Sequence, residues 1–173
     1  MKKLLAAVVC VMSLSAGQQT TAGETSSIQV MESLPLTGSA EFKFFLWNVY
    51  KAELYSANDF QHFESLPFVL KLTYARRFSQ QQLLQETQKQ FIQTGVENAL
   101  VQPWLDRLSQ IFPDVQVGHS LLLFVDADGY SHFYLNEEFL GSIEDPLFSK
   151  QFSAIWLARN DRYAEFTQQL IGE

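Results

Sequence analysis

Asn48, Tyr50, Tyr74 and Arg76 are the residues whose types and spacing best suit chemistry. They occupy alternate positions of two segments that read as β-strands. In the first they share a parity with Phe42, Phe44, Leu46, Ala52 and Leu54, in the second with Phe68, Leu70 and Leu72. Successive side chains of a strand point to opposite faces, so this apolar parity faces the core. A polar group left unpaired there costs about 1–3 kcal/mol. If the two strands are neighbours, the four residues line one cleft. Arg76 would then clamp a carboxylate or a polarised carbonyl through two N–H bonds, and the tyrosine hydroxyls would orient the same group. The alternative is that the polar groups satisfy each other and the backbone, with Arg76 reaching solvent at its strand end and the aromatic rings packing rather than lining a pocket. The four are the candidate ligand-binding set, and no catalytic residue is assigned.

Other chemistries find less support. His62, His119 and His132 stand far apart, and none forms a ligand pair such as H-x-x-x-H, so no metal site is assigned. No G-x-S-x-G marks a nucleophile, and no glycine cluster precedes a helix to cradle phosphate, so no cofactor is expected. Asp126 and Asp128 flank a turn and suit turn chemistry better than acid–base work. Glu137, Glu138, Glu144 and Asp145 read as a solvated edge plus one helix cap.

The 173 residues suffice for one domain with a real core, and 47% are apolar, fifteen of them Phe. Lys2 and Lys3 precede an apolar run from Leu4 to Met12, then small and polar residues. This is the pattern of a secretory signal peptide over residues 1–22, with cleavage after Gly17 or Ala22 and a folded domain over 28–173. The run is too short to span a bilayer. The expected location is periplasmic or secreted. Cys10, the only cysteine, lies within that run, so the mature chain would have neither disulfide nor thiol. Losing Lys2 and Lys3 moves the net charge from −7 to −9. An acidic chain with scattered bases suits neither nucleic acid nor electrostatic attraction to anionic membranes, and no stable membrane insertion is expected after signal removal.

The elements that must position the candidate site follow from periodicity. Phe42 to Tyr55 reads as one long strand with a bulge or bend, and Leu66 to Arg76 as a second. Ser79 with Gln82 forms a capping box for a helix carrying Leu83, Leu84, Phe91 and Ile92, and the surrounding glutamines read as its solvated face. A second helix carries Leu100 to Phe112, its regular part starting at Pro103. Leu121 to Val125 is a strand covered on both sides. Asp128-Gly129 turns it into Tyr130 to Leu135, and Phe139 to Ile143 adds a third strand. Asp145-Pro146 starts a helix, and a last one spans about Arg162 to Ile171. Hairpin-paired strands without a βαβ repeat argue α+β, an antiparallel sheet with helices on one face.

Several of these stretches resemble the chalcone isomerase-like family of exported bacterial proteins. They are Gly38-x-Ala40 with Trp47-Asn48-Val49-Tyr50-x-Ala52-x-Leu54-Tyr55; Leu72-Thr73-Tyr74-x-Arg76; Ile111-Phe112-Pro113-Asp114-Val115-x-x-Gly118; Phe133-Tyr134-x-Asn136; Gly141-x-Ile143-x-Asp145-Pro146-x-Phe148; and Ile155-Trp156-Leu157. The resemblance covers roughly residues 36–172. It implies an open-faced sandwich, a large antiparallel sheet under a helical layer with a cleft between. In plants that fold hosts ring closure of a chalcone to a flavanone, or fatty-acid binding without catalysis, and fold alone chooses neither. The plant enzymes carry a polarising arginine where this chain has Phe42, with Lys43 beside it. Their helical tyrosine and asparagine fall near Leu83 and Gln90. His119 stands where the bacterial relatives show aspartate, in an expected surface turn. The expected function is therefore non-catalytic binding of a small apolar or amphipathic molecule, such as a fatty acid. The alternatives are an intramolecular lyase or isomerase using Arg76 with Tyr74, and a partner-binding module whose cleft is simply core. Oligomeric state is not legible.

Overall fold

The computed structural model describes residues 29–57, 65–159 and 163–173. The segment read as a signal peptide, Cys10 and His62 lie outside them. Six strands form one sheet in the order β1-β2-β3-β4-β5-β6, every neighbouring pair antiparallel. They are β1 (Leu36–Phe44), β2 (Trp47–Ser56), β3 (Phe68–Tyr74), β4 (Ser120–Val125), β5 (Ser131–Leu135) and β6 (Glu138–Ile143). Helices α1 (Gln80–Gln93) and α2 (Asn98–Leu108) connect β3 to β4, and α3 (Pro146–Leu157) and α4 (Ala164–Ile171) follow β6.

One face of the sheet meets the helices. Ala40, Ala52, Leu72 and Leu121 stand opposite one another in register across β1 to β4. They pack in one apolar cluster with Phe91 of α1, Trp104 and Leu108 of α2, Phe148 and Phe152 of α3, and Leu170 of α4. The opposite face is covered only in part, by a small cluster of Leu34, Val69, Phe124 and Tyr134. This is why β4 lacks alternation: Leu121, Leu123 and Val125 face the helices while Phe124 is buried behind them.

Local chemistry sets the helix ends. The Ser79 hydroxyl accepts from Gln82 N–H, and the Gln82 side chain accepts from Ser79 N–H at 2.9 Å. Asp145 caps α3 by accepting from Leu147 and Phe148 N–H, with Pro146 following directly.

Four expectations need correction. Residues 42–55 are two strands, not one: the chain reverses at Phe45-Leu46, and Phe45 adopts a positive φ of 54° without being glycine. Leu46 is consequently exposed rather than core-facing. Helix α2 begins at Asn98, so Pro103 lies inside it. In α1, Ile92 is exposed, and Thr87 joins Phe91 on the buried side. At the β4–β5 turn only Gly129, at φ 81°, takes a positive φ; Asp126 does the rest, its side chain accepting from Asp128 and Tyr130 N–H.

Candidate functional site

Strands β2 and β3 pair with Tyr50 directly opposite Tyr74, their rings 6.0 Å apart and steeply inclined. Phe42, from β1, stacks on Tyr50 at 5.1 Å. Above the sheet, Trp156 of α3 donates its indole N–H to the Tyr50 hydroxyl at 3.0 Å, and Phe166 of α4 meets Tyr50 edge-on. Tyr74 leans against Phe78, between β3 and α1. Three strands and three helix-side segments thus converge on one aromatic group.

These residues wall a cavity of about 590 Å³ between the sheet and the helices. Leu70, Leu72, Leu121, Leu123 and Phe133 form its sheet side; Leu83, Phe152 and Ile155 form its helix side. Glu86, Lys89 and Gln90 of α1 and Arg76 form its polar border. Glu86 accepts from Lys89 at 3.2 Å and from Gln90 at 2.6 Å, so that part of the border is self-satisfied. Arg76 is exposed and forms no ion pair among the described residues. Its guanidinium instead sits over the Trp47 ring, 5.2 Å from the centroid.

Burial pushes the phenols of Tyr50 and Tyr74 well above the ordinary tyrosine pKa. Both stay protonated and neutral, so each offers a hydrogen-bond donor and not a base. The Tyr74 hydroxyl has no hydrogen-bond partner among the described residues, whereas Tyr50 accepts from Trp156.

Three of the four candidate residues come together here. Tyr50, Tyr74 and Arg76 all line the cavity, and Asn48 does not. Asn48 pairs with Lys43 just behind the β1–β2 turn and is exposed, because that end of the hairpin projects past the helical layer. Phe42, Leu83 and Gln90, at or near which the sequence resemblance puts the plant enzymes' polar residues, line the same cavity.

The histidines go elsewhere. His132 pairs with Asp126 at 2.8 Å on the β4–β5 hairpin. His119 is half-buried, its Nδ1 without a partner among the described residues. No three His, Cys, Asp or Glu side chains converge to hold a metal among the described residues.

The residues missed by sequence reasoning come from a distance. Trp156 lies 106 positions from the tyrosine it contacts, and nothing local marks that pairing. The glutamines of α1 did carry a signal. Gln82, Gln85 and Gln90 border the cavity, and the Gln80 side chain donates to Ser109 and Phe112 carbonyls, tying α1 to the end of α2.

The profile of the chalcone isomerase-like family matches residues 18–172. The chain belongs to the chalcone isomerase-like family. An uncharacterised protein of Haemophilus influenzae is 24% identical over 136 residues, covering 79% of this chain and 67% of the relative. Among solved structures, an Arabidopsis thaliana fatty-acid binding protein superposes with a TM-score of 0.56 at 11% identity, covering 82% of this chain and 89% of the plant chain. That similarity shows the fold: an α+β chalcone isomerase-like arrangement of an open antiparallel sheet and helices.

Proposed function

We propose that the sheet–helix cavity binds a small amphipathic molecule with an apolar tail and an anionic head, of the fatty-acid class. The observation that carries this reading is the cavity itself. Its 590 Å³ lies within the roughly 300–1,000 Å³ typical of small-molecule pockets, and its walls are apolar and aromatic apart from one border. At that border stands Arg76, a cation with no carboxylate partner among the described residues. Tyr74, the last residue of β3 and two residues before Arg76, brings a neutral hydroxyl with no partner among the described residues. A carboxylate at the mouth would satisfy both, and its tail would lie on the leucines of β3 and β4. The similarity to a fatty-acid binding protein supports the tail chemistry. The basic and apolar start of the chain supports action outside the cytoplasm, which cell fractionation checks directly.

The phenols favour binding over turnover. Both are held protonated, and the family resemblance puts the plant enzymes' polarising arginine at Phe42 and their helical tyrosine and asparagine near Leu83 and Gln90.

Native mass spectrometry and calorimetry with a panel of fatty acids and their methyl esters test the reading. Saturating binding of the acids is expected. Arg76→Ala should weaken acids about 10- to 100-fold, the worth of a charge-assisted hydrogen bond of about 1.5–3 kcal/mol, and leave the esters nearly unchanged. No binding by the folded protein, or equal losses for acids and esters, would rule it out.

A further inference from the structure

The β1–β2 hairpin ends in four consecutive apolar residues turned out into solvent. Phe44 is 62% exposed, Phe45 86%, Leu46 96% and Trp47 62%. Other large exposed apolar residues are scattered singly, as on any soluble surface, but these four form one projecting tip. The turn holds them out: Phe45 takes a positive φ of 54°, and its ring packs on Phe44 and not on the core. A non-glycine residue in that conformation is uncommon, so the tip is a built feature.

We propose that this tip is a membrane anchor that docks the protein on an anionic bilayer surface. Three observations select a bilayer. First, the hairpin is paired up to its end, Phe44 opposite Trp47, so only the short turn would carry unpaired backbone groups into lipid. Second, charge is locally reversed. The chain is acidic overall, at −7, yet segments 42–50 and 73–81 hold Lys43, Arg76 and Arg77 and no acidic residue. Lys43 pairs with Glu41 at 3.2 Å, which leaves Arg76 and Arg77 as the cations without an ion pair among the described residues of these segments. Global charge argues against electrostatic attraction to anionic lipid; the insertion of an apolar tip with its cations at headgroup level does not depend on it. Third, the tip adjoins the cavity. Phe44 and Arg76 line that cavity, and Trp47, which lies under the Arg76 guanidinium, is the aromatic type that settles at the membrane–water interface. Docking would place the cavity mouth against the source or destination of an amphiphile. The anchor itself does not depend on any ligand occupying the cavity.

The test uses the full chain and vesicles of phosphatidylethanolamine and phosphatidylglycerol with brominated acyl chains, and the chain reports its own insertion. Of its three tryptophans, Trp104 is buried and Trp156 of α3 is half-buried with its indole on Tyr50, while Trp47 is exposed. Vesicles should shift the Trp47 emission to the blue and quench it, and Trp47→Phe should abolish that change. This reads the tip directly, whatever else on the chain touches lipid. Phe45→Ser with Leu46→Ser should remove the quenching and lower tip partitioning by roughly tenfold or more per residue, while circular dichroism and Tm stay unchanged. Arg77→Glu should weaken docking several-fold on anionic vesicles and not on phosphatidylcholine, since one cation near such a surface is worth about 1 kcal/mol. Unquenched Trp47 in the unaltered chain, or quenching that survives the double substitution, would overturn the proposal. So would a solution dimer dissolved by that substitution, which would make the tip a contact between copies. Fatty-acid binding is read separately by calorimetry without vesicles, so failure there leaves this result standing, and the converse holds.

Discussion

Tyr74 and Tyr50 carry the same hydroxyl into different surroundings. Tyr50 has Trp156 as a donor at 3.0 Å, and Tyr74 has no protein partner among the described residues. Their shared elevation in pKa has a consequence for stability. The folded chain keeps these phenol protons to a higher pH than the unfolded chain, whose tyrosines titrate near 10. Their contribution is complete below about pH 10 and declines above it, by up to roughly 1.4 kcal/mol per pH unit for the deeply buried Tyr74. Tyr74→Phe should therefore leave stability at pH 7 undiminished, because no protein hydrogen bond is lost, and should flatten the decline between pH 10 and 11. Urea unfolding at each pH measures both. Strand parity made these two tyrosines legible, since alternation is written in neighbouring residues, whereas Arg76 borders the cavity from the bend beyond β3, where the strand that parity assumes has ended. It failed for Asn48, because parity says nothing about where the helical layer ends.

At the scale of elements, Asp145 shows how one side chain serves two segments. It caps α3 through Leu147 and Phe148 N–H, and its other oxygen accepts from the Trp104 indole of α2 at 3.0 Å. Asp145→Ala should remove the cap, worth about 1 kcal/mol, and strand a buried indole N–H at about 1–3 kcal/mol. A fall in Tm of roughly 4–16 °C is expected by calorimetry, at about 2–4 °C per kcal/mol. Asp145→Asn, which keeps an acceptor for the helix, should lose less than half of that. Gly38 makes a sharper case. A Cβ added there would lie 2.6 Å from the Leu170 carbonyl oxygen, so the backbones of β1 and α4 meet at that point. Gly38→Ala should push α4 off the sheet edge and raise amide exchange through residues 164–171 more than elsewhere in the chain. The caps at Ser79 and Asp145 were legible because capping is local chemistry. The β1–β2 turn was not. Phe45-Leu46 contains no residue that favours a turn, and the hairpin is enforced by the pairing of its strands and not by its own sequence.

For the molecule as a whole, periodicity sufficed to read the α+β class, since strands recur at period two, helices at 3.6, and hairpins leave few topologies. The cavity was not readable in that way. It exists because the leucines of β3 and β4 and the aromatic residues of α3 stop short of filling the space between them, which depends on tertiary spacing alone. An open apolar cleft inside the main core leaves side chains with contacts unmade, so an occupant adds packing that the empty chain lacks. A bound fatty acid present at about 100 times its Kd should thus stabilise the protein by about 2.7 kcal/mol and raise Tm by roughly 5–11 °C. Filling the cleft from within separates this from nonspecific detergent-like effects. Ile155 lines the cavity from α3, and Ile155→Trp would occupy part of it with side chain. That variant should hold or exceed the ligand-free Tm, as cavity-filling substitutions commonly do, while losing most of the ligand-induced rise. A full ligand-induced rise in the filled protein would mean that the stabilising site lies elsewhere on the molecule.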